Sequence, residues 1–191
     1  MPYSPAHKEK TRDSILRSAR ALFSMKGFDA VTVNDVMNDC SLTRGAFYAH
    51  FKSKAELYQH ALKYSAVNSE LAKTKPERIS SHQWLSQLLD AYLSFEHVSG
   101  HSPCPMAFMA IDIALRDEAT KGTYTESYRN MNRIIMSYLD EEALCNKERV
   151  FALTSMIIGA VAIARNIDDS SLVESILTSC REQTKIMLGE F

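Results

Sequence analysis

The sequence predicts an all-α chain of about nine helices. An N-terminal three-helix helix-turn-helix domain is expected over 1–53, and a helical ligand-binding and dimerisation domain over 54–191. Three observations carry this. Apolar residues recur at i, i+3, i+4 and i+7 along most of the chain, as on one face of a helix. Helix start signals precede those runs: Thr32 with Asp35, Thr43, and Ser53 with Glu56. No stretch alternates apolar and polar residues long enough to form a strand.

The first helix is expected from about Lys8 to Lys26, with Ile15, Leu16, Ala19, Leu22 and Phe23 as its inward stripe. Pro2 and Pro5 make residues 1–8 read as a loose arm. Gly27 fits a left-handed residue just past the helix end, with Phe28 folding back on Phe23. The basic residues of this helix read as a solvated face, with Thr11 and Arg12 as marginal phosphate candidates.

Over 32–51 two short helical patterns lie almost end to end. Val33, Val36, Met37 and Cys40 form one face of the first, opened by the Thr32–Asp35 capping box. Thr43 opens the second, with Leu42 and Phe47 placed as a hydrophobic staple. Phe47 and Phe51, four apart, face inward and leave Arg44, Tyr48 and the Gly45/Ala46 edge outward. That is the layout of a helix-turn-helix, whose second helix lies in the DNA major groove. Arg44 suits bidentate pairing with guanine, and the Ala46 methyl suits contact with a thymine methyl. Gly45 permits close approach to the duplex. Thr43, Tyr48 and His50 suit phosphates, which set position rather than sequence. Thr32 and Lys54 complete the DNA-facing set, Lys54 at the positive end of a fourth helix.

The run TRDSILRSARALFSMKGFDAVTVNDVMNDCSLTRGAFYAHFKSKAEL, residues 11–57, resembles the DNA-binding domain of TetR-family transcriptional regulators. The resemblance rests on the ILxxAxxLFxxxGF pattern, the TVNDV segment and the TRGAFYAHFKSKAEL signature, and covers about a quarter of the chain. It implies a homodimer that binds double-stranded operator DNA and releases it when a small-molecule effector enters the C-terminal domain. One departure is Cys40-Ser41, where the family usually has Ala-Gly. Ser41 is then expected in a backbone conformation easier for glycine.

After Lys54 the fourth helix runs toward Ala72 and Pro76 ends it. Further helices are expected over Ser80–Val98, after the SGHSPCP break, over Glu118–Tyr138, Lys147–Arg165 and Ser171–Leu188. The last two carry apolar faces and small residues suited to a four-helix interface between two copies, which the resemblance also implies. Aromatic residues and methionines crowd the middle helices. Trp84, Tyr92, Cys104, Phe108, Tyr124 and Tyr128 are therefore the candidate ligand contacts.

Pro105 suits the first position of a helix, which places Cys104 at its N-cap, where the dipole would favour a reactive thiolate. A thiol-based redox or electrophile sensor is the alternative that follows. His97, His101 and Cys104 fall short of a metal site for want of a fourth ligand. No phosphate loop, HExxH or GxSxG supports an enzyme. A thiol enzyme using Cys104 with His101 lacks an orienting group, and a carrier without DNA binding would not need the outward Arg44, Tyr48 and Lys54. No cofactor or metal is expected.

Composition agrees. Apolar residues make up 46% and charged residues 24%, ordinary for a globular protein. Residues 1–65 hold ten Lys and Arg against six Asp and Glu, a net of +4, whereas 66–191 hold twelve against seventeen, a net of −5. The basic excess lies with the DNA motif. No apolar run is long enough to span a membrane and the start lacks a signal-peptide core, so the expected location is cytoplasmic. Four scattered cysteines give no CxxC pair and no disulfide framework.

Overall fold

A computed structural model describes residues 4–68, 73–100, 104–139 and 147–189, and every regular element among them is helical. Eleven helices are present among these residues: α1 Pro5–Ala30, α2 Val33–Asp39, α3 Arg44–Tyr48, α4 Lys54–Val67, α5 Ser81–Tyr92, α6 Phe95–Ser99, α7 Pro105–Phe108, α8 Ala110–Ala114, α9 Glu118–Ser137, α10 Lys147–Ala164 and α11 Ser170–Leu188. The number exceeds nine because two expected helices are broken. Leu93 leaves the helical region and Ser94 is extended, its hydroxyl accepting from the His97 amide to start α6. Met109 separates α7 from α8. His101 lies outside the described residues.

Of the loose arm expected over 1–8, residues 5–8 are helical instead. Ser4 is the N-cap of α1, with its hydroxyl accepting from the His7 amide, and Pro5 stands at the first helical position, where its missing N–H costs nothing. Gly27 has the expected positive φ, but with φ 77° and ψ 171° it is not a left-handed helical cap. It kinks the chain, and one more turn follows to Ala30. Phe28 still returns to Phe23, the ring centroids 6.1 Å apart and stacked.

Two cores form. The first gathers Ile15, Leu16, Ala19 and Phe23 of α1, Val36 and Met37 of α2, Phe47 and Phe51 around α3, and Leu57, Tyr58, Ala61 and Leu62 of α4. Each Val, Leu, Ile, Met or Phe side chain of this set contributes roughly 1.5–3 kcal/mol when fully removed from water. Met106, Met109 and Ile113, from α7 and α8, join this same cluster. The second core gathers α5, α6 and α9 to α11. Within it Tyr128 shares a hydrogen bond of 2.9 Å with Thr154, which reaches Asn132 at 3.1 Å, tying α9 to α10 by a satisfied polar network.

The two cores are stitched together at α8. Asp112 accepts from the Tyr58 hydroxyl at 2.5 Å and from the Phe28 amide at 3.1 Å. Arg116 forks onto Asp29 at 3.1 and 2.9 Å and lies over the Phe28 ring. Those bonds hold the Asp29 carboxyl below its ordinary range, while burial and the Asp112 bond push the Tyr58 phenol well above its own. The C-terminal end of α1, the middle of α4 and α8 thus meet at one point. Long reaches also fix the second core. Arg181 of α11 donates to the Leu93 carbonyl, and Arg165 at the end of α10 to that of Val98, both at 2.7 Å. They satisfy carbonyls at the C-terminal ends of α5 and α6, where helices leave acceptors unpaired.

Candidate functional site

The helix pair α2–α3 is built by local bonds. Thr32 and Asp35 form the full capping box: the Asp35 amide donates to the Thr32 hydroxyl at 3.1 Å, and the Thr32 amide to the Asp35 carboxylate at 2.7 Å. The connecting turn closes with the Ser41 amide on the Asn38 carbonyl and the Leu42 amide on that of Met37. Ser41 sits at φ +56°, the positive value expected of a serine where the family usually has glycine. Cys40 is half-buried, its thiol donating to the Val36 carbonyl at 3.0 Å, and burial pushes its pKa up.

On α3 the inward and outward residues separate as the spacing requires. Phe47 and Phe51 are buried, whereas Thr43, Arg44, Gly45 and Tyr48 are exposed and Ala46 is half-buried. Tyr48 stands at 59% exposure, its ring edge-on to Phe47. Thr43 has the extended backbone of an N-cap, but its hydroxyl makes no cap bond. Arg44 has no hydrogen-bond or ion-pair partner among the described residues.

Four phosphate candidates look different in place. The Lys54 ammonium donates to the Phe28 and Val31 carbonyls at 2.8 and 3.0 Å and rests over the Phe28 ring. It therefore closes the C-terminal end of α1 instead of standing free at the start of α4. Its helix start is otherwise as expected, except that Glu56 accepts from the Lys52 amide rather than that of Ser53. His50 is half-buried with Nδ1 sealed and unpartnered, and burial, with Lys8 and Arg12 nearby, lowers its pKa. Arg12 is not free either: its guanidinium lies over the Phe51 ring and donates to His60 Nδ1 at 3.1 Å. Since arginine can only donate, that bond requires His60 Nδ1 to be unprotonated. Thr11 donates to the His7 carbonyl, and Thr32 is exposed with its hydroxyl inside the capping box.

A cavity of about 740 Å³ opens between α1, α4, α5, α6, α7 and α9. Of the six candidate ligand contacts, Tyr92 and Cys104 line it. Trp84, Phe108, Tyr124 and Tyr128 do not. Trp84 packs against the second core, Phe108 lies under the Arg165 guanidinium, Tyr124 donates to the Met106 carbonyl at 2.9 Å, and Tyr128 belongs to the Thr154 network. Aromatic content alone did not reveal which rings face inward to the cavity. Sequence reasoning also missed Arg20, read as part of a solvated face, which lines the cavity from α1.

Cys104 is the N-cap of α7 with Pro105 at its first position, as the sequence predicts. Its acidity goes the other way. Burial raises the thiol pKa and outweighs the Tyr92 hydroxyl at 3.1 Å and the Ala107 and Met106 amides. Desolvation of a full charge exceeds what one helix end supplies. Burial likewise raises Tyr92, and carries Tyr124 up to about 12. Among the described residues no group of three or more His, Cys, Asp or Glu is placed to hold a metal ion.

Residues 15–61 match the family described as bacterial regulatory proteins, tetR family. The chain carries a TetR-family DNA-binding domain. The match spans α1 from Ile15 onward, α2, α3 with its exposed face, and the first part of α4. The chain is 31% identical over 88 residues to the uncharacterized HTH-type transcriptional regulator YerO of Bacillus subtilis, covering 41% of this chain and 30% of that protein. It is 32% identical over 62 residues to the HTH-type transcriptional repressor KstR2 of Mycolicibacterium smegmatis, covering 32% of this chain and 30% of that one. The chain thus spans under a third of either relative's length. The fold is shared more fully. A TetR-family transcriptional regulator from Agrobacterium tumefaciens superposes with a TM-score of 0.75 at 17% identity, over 92% of this chain and 98% of that one. The family and these relatives are transcriptional regulators, not enzymes, and no helix among the described residues is long and apolar enough to cross a membrane.

Proposed function

We propose that this chain is a dimeric, sequence-specific DNA-binding regulator, released from its operator when a small molecule fills the C-terminal cavity. The observation that carries the reading is the two-sided α3, buried through Phe47 and open through Thr43, Arg44, Gly45 and Tyr48, with Arg44 unengaged. Arg44 reads a base, Thr43 and Tyr48 meet phosphates, and Gly45 lets the helix approach. Ala46 is left at the edge for a thymine methyl, and the Thr32 end of α2 lies along the same backbone. Lys54 has two of its three N–H donors on carbonyls, leaving one for a phosphate. His50, half-buried and with its pKa lowered by burial, serves as a hydrogen-bonding neighbour rather than a charged anchor.

Dimerisation is supported by the last two helices, where Phe151 and Ile163 of α10 and Leu172 and Ile186 of α11 stand about half-exposed. Docking a second copy against these two helices would take those side chains out of water. A repressor role rests on relatives such as KstR2. Cys104, half-buried with its thiol pKa raised, disfavours the thiol-sensor alternative and forms part of the cavity wall.

The test is selection of bound fragments from random double-stranded DNA, followed by titration of the recovered site against salt. A steep loss of affinity with salt and a palindromic consensus are expected. Indifference to all DNA at low ionic strength overturns the reading.

A further inference from the structure

The cavity walls are mostly apolar, with Leu62, Leu88, Met106, Met131 and Ile134 among them. Into this setting α1 sends Arg20. Its Nε is sealed from solvent without a hydrogen-bond partner, and no ion pair joins Arg20 to any described residue. The guanidinium is close enough to act electrostatically on the Cys104 thiol. The one acidic residue lining the cavity among those described, Glu96, is solvent-exposed and forms no pair with Arg20. Arg20 as a whole is half-buried, but a guanidinium N–H shut away from water without an acceptor is costly until something supplies one. The neighbouring hydroxyls do not supply it. Ser65 and Ser127 donate to helix carbonyls, and Tyr92 is bonded to Cys104.

We infer that the cavity takes an apolar molecule bearing one carboxylate or similar oxyacid group, which pairs with Arg20. The volume of about 740 Å³ suits a small organic acid, and arginine's fork matches the two oxygens of a carboxylate. The inference rests on the reading of this cavity as the effector site and adds the ligand's charge. It also makes α1, a helix of the DNA-binding domain, a direct ligand contact.

The experiment compares two fluorophores with the same rings, 1-anilinonaphthalene-8-sulfonate and neutral N-phenyl-1-naphthylamine, by fluorescence titration of the full chain. The sulfonate is expected to bind roughly tenfold or more tighter, as a charged hydrogen bond in a shielded site allows. Arg20→Met is expected to abolish that preference and leave the neutral probe's affinity unchanged, while Arg20→Lys keeps part of it. Decanoate should displace the bound sulfonate and decanol should not. Equal affinities in the wild type, or an unchanged preference in Arg20→Met, overturn the inference. If Arg20→Met loses helical circular dichroism or neutral-probe binding, the Arg20→Lys comparison decides. Failure here with DNA still bound and released by another compound leaves the regulator reading standing. Loss of all DNA binding with the sulfonate preference intact does the reverse.

Discussion

The outward face of α3 and the cavity behind α1 each hold an unpaired arginine, and they differ in what surrounds it. Arg44 stands in water, where a free guanidinium is well solvated and its lack of a partner costs little. Arg20 has a nitrogen shut away from water with nothing to accept from it. On the readings proposed above, the first would meet a large, hydrated polyanion and the second a small one held in an apolar cavity. Exposure, more than charge, would then separate the two binding tasks.

The comparison is broken most forcefully on α3 itself. Phe47→Ala empties a fully buried position and should cost about 3–5 kcal/mol in urea denaturation. Tyr48→Ala, one residue on, should leave stability within about 0.5 kcal/mol while weakening DNA binding. Equal stability losses would deny that α3 has two sides. Next comes the seam. Asp112→Ala leaves the Tyr58 hydroxyl and the Phe28 amide without their acceptor, and should destabilise by about 2–4 kcal/mol, read from the same denaturation curves.

Arg44→Ala should lose roughly 1–3 kcal/mol on the selected operator and relax preference at one base, measured by competition between operator variants. A uniform loss over all sequences would make Arg44 a phosphate contact instead.

Acidity gives a smaller effect. His50 and His60 both have folded pKa values depressed below 6.5, chiefly by burial. The unfolded chain then binds more protons than the folded one, so stability is complete above pH of about 6.5 and falls as pH drops toward the folded values. His50→Gln and His60→Gln should flatten the dependence of unfolding free energy on pH across that window. Smallest is Ser41→Gly, expected to raise stability by up to about 1 kcal/mol by relieving the positive φ, seen as a higher melting temperature.

Much of the first region was legible because its signals are short-range. Capping residues lie three positions from their partners, the staple joins neighbours, and Phe47 and Phe51 sit a turn apart. The unusual Ser41 backbone could be expected from one replaced glycine. The cavity was not legible because it depends on which distant helices meet. Tyr92 and Tyr124 look alike in the sequence, yet one lines the cavity and the other donates to a carbonyl across the fold. Arg20 looks like any basic residue on an amphipathic helix until α4 and α7 bring the other cavity walls beside it. Lys54 shows the same limit, since its carbonyl partners come from 23 and 26 residues earlier. For Cys104 the position was right and the acidity wrong, because burial cannot be read from a Cys-Pro pair.

Arg165 and Arg181 hold the carbonyl ends of the two helices that carry Tyr92 and His97, and they stand at the end of α10 and within α11, the pair proposed above as the meeting surface of two copies. Joining two copies there would stiffen the roof over the ligand from behind. Mass action then links the two events: a dilute, dissociating sample should take up its ligand more weakly than a concentrated one, and saturating ligand should hold the copies together at lower protein concentration.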